Sequence, residues 1–497
     1  MRRDETAGRR REELARATRR QFLTRTSLGL GAAALAGLLD PRALARAAAG
    51  GAAGAAGTTE GCGGALGAPH FAPRARRVIH LFQSGGPSHL DLFDPKPKLT
   101  ELAGQELPKS VMGDQPVTLM TRSQSKFLCA ASPFEFAPRG ASGQWLSSLI
   151  PHTHRIADEI AIVRSLHSEP INHDTAVTFI QTGRPQPGLP CMGSWLSWGL
   201  GSENQDLPWF VVMLSGPSDQ PVIPRYYHSG FLPSQHQGVQ FQGAGDPVLF
   251  LSNPPGIDRD GRRGLVAAVN DLNRLKHGQV ADPEIETRID AFELACRMQA
   301  SVPELTDLST EPRAILELYG PEATVRGTYA HHCLLARRLI ERGVRFVQLF
   351  HRGWDQHGNL PGDIQRQCAA TDQPTAALVL DLKQRGLLDD TLVIWGGEFG
   401  RTSYCQGDYQ PGNFGRDHHP RCFSMWLAGG GIRGGASLGA TDDFGYNLAS
   451  RAVEVHDLHA TVLHLLGLDH ERLTWRHLGR DFRLTDVSGR IVPELLA

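Results

Sequence analysis

The run Val344-Arg345-Phe346-Val347-Gln348-Leu349-Phe350 leads into Trp354-Asp355-Gln356-His357-Gly358, and Thr391-Leu392-Val393-Ile394-Trp395 leads into Gly396-Gly397-Glu398-Phe399-Gly400-Arg401-Thr402. Each is a short apolar segment followed by a polar, glycine-bearing loop, the pattern of a buried strand and the turn beyond its carboxyl end. A third polar group, Gly415-Arg416-Asp417-His418-His419-Pro420, stands just before the apolar run Cys422-Phe423-Ser424-Met425-Trp426-Leu427. Helical stretches alternate with these strands. Thr328 to Arg342 closes at Gly343 ahead of strand 344–350, and 370–385 closes at Gly386 ahead of strand 391–395. That alternation predicts an α/β fold, a doubly wound, mostly parallel sheet flanked by helices, with long loop insertions. Such sheets bind ligands outside the carboxyl ends of their strands, where imidazoles and carboxylates can hold a divalent metal.

Working outward, Arg77 to Phe82 reads as the first strand, ending in Gln83-Ser84-Gly85-Gly86-Pro87. Residues 98–142 look irregular. A helix is expected over Trp145 to Ala157, then strand Ile160 to Arg164, a polar loop, and a helix from Thr175 to Thr182 closed by Gly183. Pro208 to Leu214 is another strand, and 216–262, rich in Gly, Pro and Gln, is a long surface excursion of the kind that often carries function. Helices follow at 265–277 and 283–299, strand 423–428 continues the sheet, and Leu458 to Leu466 is a helix with Asp457 as N-cap and Gly467 past its end.

The 497 residues carry 51 basic and 52 acidic side chains, so no field of one sign exists to gather nucleic acid. Ahead of the domain, Arg19-Arg20-Gln21-Phe22-Leu23 precedes a weakly apolar run from Leu28 to Leu39, too short to span a bilayer. Small residues from Ala43 to Gly57 offer cleavage sites. The segment 1–57 resembles a twin-arginine export signal, 58–74 reads as a linker, and 75–497 as the domain. A periplasmic or secreted protein, carried folded by the twin-arginine translocase, is the expectation. No other run reaches transmembrane length. Among the eight cysteines, Cys405 and Cys422 flank the third polar group and form a candidate disulfide.

Asp355 and His357, two apart in a loop with glycines on either side, can face one ion, or can form an Asx-turn beside an exposed imidazole. Glu398 is a candidate ligand, a general base, or an ion-pair partner of Arg401. His418 and His419 are adjacent and point apart, so one can ligate while the other packs. Asn172, His173 and Asp174 lie at a helix N-terminus, which favours an anion. His173 is there a ligand, an acid/base or a nucleophile, unless it merely packs while a neighbour caps the helix. Ser84 and Ser88 are candidate substrate-binding or nucleophilic hydroxyls, as Asn172 is a candidate substrate contact. His89 with Asp91 is a candidate second ion site. Histidine and carboxylate without thiolate suit zinc or manganese better than calcium.

At these residues the chain resembles the alkaline phosphatase and sulfatase superfamily, and within it the twin-arginine-exported branch, the domain-of-unknown-function family 1501. Asp457-Leu458-His459-Ala460-Thr461-Val462-Leu463-His464-Leu465-Leu466-Gly467 is similar to the sulfatase run Asp-x-x-Pro-Thr-x-Leu-x-x-Leu-Gly, with Ala460 in place of Pro. Thr182-Gly183-Arg184 resembles the close of the sulfatase nucleophile helix. Phe82 to His89, Trp354 to Gly358 and Gly397 to Thr402 look like the exported branch itself. The resemblance implies a metal-dependent hydrolase of phosphate or sulfate esters acting on a small-molecule or polysaccharide ester. Asp355, His357, Glu398, His418 and His419 would be its metal candidates, and Arg401 or Arg416 would neutralise the anion. The departures imply a rival. The nucleophile position falls on His173, and the usual first-strand ligand position near Gln83. A degenerate scaffold binding sulfated or acidic polysaccharide at the cell envelope, or a purely structural envelope protein, follows equally from those changes.

Overall fold

The central strands are near-continuous apolar runs because both faces of their sheet are covered. In β1 (Arg77–Gln83), Ile79 and Leu81 pack on one side while Val78 and Phe82 pack on the other. The computed structural model describes residues 64–497 apart from 219 and 250. The described part of residues 62–497 forms one unit. The signal segment 1–57 lies outside the described residues. Of the stretch expected to be a linker, residues 65–74 run against the domain: the Ala65 N–H donates to the Trp198 carbonyl at 2.8 Å and the Arg74 N–H to that of Leu465 at 2.8 Å. No described helix is long and apolar enough to cross a membrane.

After β1 come β2 (Phe136–Arg139), β3 (Gln144–Ser147), β4 (Ile160–His167), β5 (Phe210–Ser215), β6 (Val239–Phe241), β7 (Phe346–His351), β8 (Thr391–Gly396), β9 (Gly400–Gln406), β10 (Gly415–His419), β11 (Phe423–Ala428) and β12 (Ser437–Leu438). The main sheet has the order β12-β4-β11-β8-β1-β7-β5-β6, with Val453–Glu454 added along β4. Every pairing in it is parallel except those of β11, which is antiparallel to both β8 and β4. This reversal matters for position. A polar group that precedes β11 stands at the same rim as groups that follow β7 and β8. Helices α1 (Tyr329–Glu341) and α2 (Leu360–Gln384) cover one face. On the other face lie α3 (His173–Thr182), α4 (Met192–Leu200) and α5 (Val455–Leu465).

Several local expectations are corrected. No helix forms over Trp145–Ala157. Pro151 interrupts it, so β3 is followed by a 3-10 turn at Thr153–Ile156, whose free N–H groups at His152 and Thr153 donate to Asp372 at 2.6 and 2.9 Å. Residues 98–142 contain two short helical turns and β2. The excursion 216–262 returns to the sheet, because β6 pairs in parallel with β5. The last helix begins earlier than expected. Glu454 is its N-cap and Asp457 its third residue, closing a reciprocal capping box through the Glu454 N–H at 3.1 Å. Cys405 and Cys422 are free thiols, engaged with the Gly407 and Gly445 carbonyls.

Gly183 closes α3 at φ +75°, and a Cβ there would lie 1.9 Å from the Leu484 carbonyl oxygen. Gly183→Ala is therefore expected to destabilise the fold by more than about 1 kcal/mol. Denaturant midpoints at an unchanged slope check this. An unaltered midpoint removes the packing account of this turn.

Candidate metal centre

Three elements deliver side chains to one point. The loop after β7 carries Asp355 and His357, the first turn of α3 carries His173, and β10 carries His418. Asp355 Oδ1 lies 3.0 Å from His173 Nε2, 2.8 Å from His357 Nε2 and 3.3 Å from His418 Nε2. All four donor atoms fall within 4.8 Å of one another. A tetrahedral zinc site with bonds of about 2.0–2.1 Å has donor–donor edges of about 3.3 Å, so these spacings sit near those of a filled site.

The far nitrogen of each imidazole is already committed. His173 Nδ1–H donates to Glu398 Oε1 at 2.5 Å, His357 Nδ1–H to Gln406 Oε1 at 2.5 Å, and His418 Nδ1–H to the Ile171 carbonyl at 2.8 Å. All three partners are acceptors, so the proton of each neutral ring sits on Nδ1 and the Nε2 lone pair faces Asp355. The Nε2 atoms of His173 and His357 are buried without a hydrogen-bond partner. Orphaned buried nitrogens beside a carboxylate oxygen fit a cation between them. The donor set, three imidazoles and one carboxylate, suits a divalent transition metal.

Electrostatics of the metal-free cluster agree. Burial lowers the His173 pKa, but the Asp355 and Glu398 carboxylates outweigh it and raise it to about 9. Burial would raise Asp355, yet His173, His357, His418 and Arg401 hold it far below the usual carboxylate range. Burial dominates at His418 and lowers it to about 4. Of the cluster's imidazoles, His173 is the one the neighbouring carboxylates favour in the protonated form.

The other sequence candidates lie elsewhere. Glu398 is buried and accepts the Gly85 N–H at 2.9 and 3.2 Å, so it orients His173 from behind. His419 faces the opposite side of β10, donating to the Tyr446 carbonyl at 2.7 Å and stacking on that ring. Arg401 is fully buried, with Nε on the Gly86 carbonyl at 2.9 Å, Nη1 on that of Arg416 at 3.1 Å, and Nη2 on Asp355 Oδ1 at 2.7 Å. Arg416 is equally buried, held by Asp91 at 3.0 Å and the Thr402 and Ala130 carbonyls. Neither guanidinium is free for a substrate anion. His89 and Asp91 form no second ion site: Asp91 is taken by Arg416 and by Ser88 Oγ at 2.5 Å, and His89 reaches the Gly445 carbonyl at 3.3 Å. Ser84 is buried, and Asn172 is an exposed N-cap whose side chain makes no cap bond.

Sequence reasoning passed over Gln406, Ile171, Phe399 and Arg225. Gln406 and the Ile171 carbonyl fix two tautomers. Phe399 packs 4.9 Å from the His173 ring and 4.5 Å from that of His418. Arg225, from the excursion, pairs with Asp174 beside His173, where Tyr226 also donates at 2.9 Å. No local pattern marks these residues, because their partners lie 19 or more positions away along the chain. Gln83 accepts the Trp354 indole N–H at 2.9 Å and so steadies the residue before Asp355.

A model of the family described as "Protein of unknown function (DUF1501)" matches residues 75–496. No curated protein matches the sequence. Among solved structures, the PsFucS1 sulfatase from Pseudoalteromonas sp. is similar at 12% identity and TM-score 0.32, covering 80% of this chain and 69% of that one. The TAB5 alkaline phosphatase is similar at 9% identity and TM-score 0.33, over 80% and 99%. The phosphonate monoester hydrolase from Silicibacter pomeroyi is similar at 11% identity and TM-score 0.28, over 64% and 68%.

Two outcomes are expected. Because the His173 pKa is raised, its contribution to stability in the metal-free protein is fully present below about pH 6.5 and is lost as pH rises through about 9. The denaturation midpoint of metal-free protein should fall across that window, and the fall should vanish in His173→Gln. Arg416→Met, which strands Asp91, should cost about 3–5 kcal/mol, read by chemical denaturation. A loss under about 1 kcal/mol would contradict a structural role for this pair.

Proposed function

The chain belongs to the DUF1501 family, and from that premise we infer that it is an exported hydrolase of phosphate or sulfate esters that works with one divalent ion held by His173, Asp355, His357 and His418. The observation that carries this reading is the trio of imidazole Nε2 atoms turned onto Asp355 Oδ1 with every Nδ1 tied from behind. Zinc is favoured and manganese second, since calcium requires more oxygen donors. Such an ion, when bound, lowers the pKa of a coordinated water and polarises an ester oxygen.

The protein's own groups supply the rest. Glu398 holds the proton of His173 Nδ1 and keeps Nε2 free to ligate. His173 is a ligand in this reading and not a nucleophile, because both of its nitrogens are engaged. Arg401 offsets the charge of Asp355 without leaving its carbonyl cradle. Arg225, beside the first turn of α3, is the guanidinium available to an anionic group in exchange for Asp174. Access is open on this side, since the side chains of His173, Asp355 and His357 are 23%, 22% and 20% exposed.

A second reading keeps the metal and drops turnover. The engagement of both His173 nitrogens at the family's nucleophile position favours it. A metal-dependent binding protein for sulfated or acidic polysaccharide at the cell envelope then results.

Elemental analysis of purified mature protein is expected to find one transition-metal ion per chain, absent from Asp355→Ala. Glu398→Gln, with its fold checked by circular dichroism, is expected to bind that ion about 10–100-fold more weakly. Wild-type protein that stays metal-free after growth in metal-replete medium defeats both readings. Metal without release from an aryl phosphate or aryl sulfate selects the second.

A further inference from the structure

A cavity of about 900 Å³ is lined in part by His418. We propose that it binds the alcohol half of the ester, and that this half is an uncharged, polyhydroxylated group of about one or two sugar units. The proposal rests on the hydrolase reading, and its placement follows from His418. That ring belongs to the cluster through Nε2, and it lines the cavity together with Ile171, whose carbonyl holds its Nδ1. One residue thus belongs both to the cluster and to a space within the size range of ligand pockets, so an ester bound at the cluster would have this space beside it.

The chemistry of the lining selects the ligand. Ser168 is only 6% exposed, and its hydroxyl has no hydrogen-bond partner. A buried hydroxyl without a partner costs free energy that a ligand hydroxyl would recover. Gln115 Nε2 donates to Asn447 Oδ1 at 2.5 Å, and Asn447 Nδ2 is held by the Val111 carbonyl and Asp442 at 2.9 and 2.8 Å, so the Gln115 carboxamide is fixed in place with its oxygen and second N–H left to offer. Glu169 and Arg421, both exposed, have opposite charges and form no ion pair among the described residues. Two carboxylates, a guanidinium, two carboxamides and a hydroxyl around one space match a ligand with many alternating donors and acceptors. Glu169 and Glu454 outnumber Arg421, so the space has no positive field to hold a second anionic group.

The cavity is also built to keep its shape. Its outer wall includes residues 115–117, and the next residues are fastened to the metal-bearing strand: Thr118 Oγ1 and Thr121 Oγ1 donate to Asp417 Oδ2 at 2.5 and 2.6 Å. Asp417 is fully buried, and its Oδ1 accepts the N–H of His418 at 2.8 Å. One carboxylate thus ties the wall of the cavity to the backbone of a cluster residue.

The test uses metal-loaded full-length protein and saturation-transfer NMR with a panel of uncharged methyl hexosides, with phenol as the apolar comparison. At least one hexoside is expected to bind more tightly than phenol, and Ser168→Val combined with Asn447→Leu is expected to weaken it tenfold or more at unchanged metal content. Hexoside binding should persist in Asp355→Ala. The proposal is overturned if no hexoside binds, if phenol binds better, or if the cavity variant binds as the wild type does. Metal and ester hydrolysis without hexoside binding would leave the hydrolase reading standing and remove this subsite. Hexoside binding by a metal-free wild type would do the reverse.

Discussion

Three imidazole rings cannot all donate a proton to one carboxylate oxygen when each has already given its proton to an acceptor behind it. That constraint governs the rim of the sheet. Glu398, Gln406 and the Ile171 carbonyl hold the Nδ1 protons, and the Nε2 lone pairs are left facing Asp355. In the metal-free molecule a proton on His173 relieves the crowding of electron density, and its raised pKa is the consequence. A divalent cation would relieve it more completely, because the four donor atoms lie close enough together to meet one ion at once. The surrounding groups are the kind of supporting shell that metal-binding histidines require.

The buried arginines show how the rim is kept in place. Arg401 and Arg416 gather carbonyls from the β1 loop, the β7 loop and the β9–β10 ribbon, which would otherwise be hard to satisfy away from water. Each also meets a carboxylate, Asp355 or Asp91. Removing either arginine would strand a charge and several carbonyls together. Their guanidinium groups act as fixed joints, each already spent on carbonyls and a carboxylate.

Much of this was legible beforehand for a plain reason. Strands covered on both faces must be apolar along their length, so β1, β7, β8 and β11 stood out, and glycine-bearing polar loops marked where they ended. Asp355, His357 and His418 were readable as candidates because they lie beside those ends. Glu398, His419, His89 and Asp91 stand as near to strand ends as the four clustered residues do. What separates them is the direction of each side chain, which depends on the pairing of β9 with β10 and on the bulge between Arg416 and His418. The helix expected at 145–157 does not form because Pro151 breaks the apolar pattern that suggested it.

The sequence by itself determined the class of fold, the rim on which polar residues gather and most of the residue types available for chemistry. These follow from hydrophobic periodicity and from glycine and proline placement, which are properties of neighbours along the chain. The tertiary structure alone decided which of those residues meet. His173 joins Asp355 across 182 positions, and Gln406 steadies His357 across 49, through contacts that no local pattern encodes. The antiparallel course of β11 brought the third polar group to the same rim as the other two. Strand direction is set by how a sheet closes its hydrogen bonds, and it becomes visible only once the strands are paired.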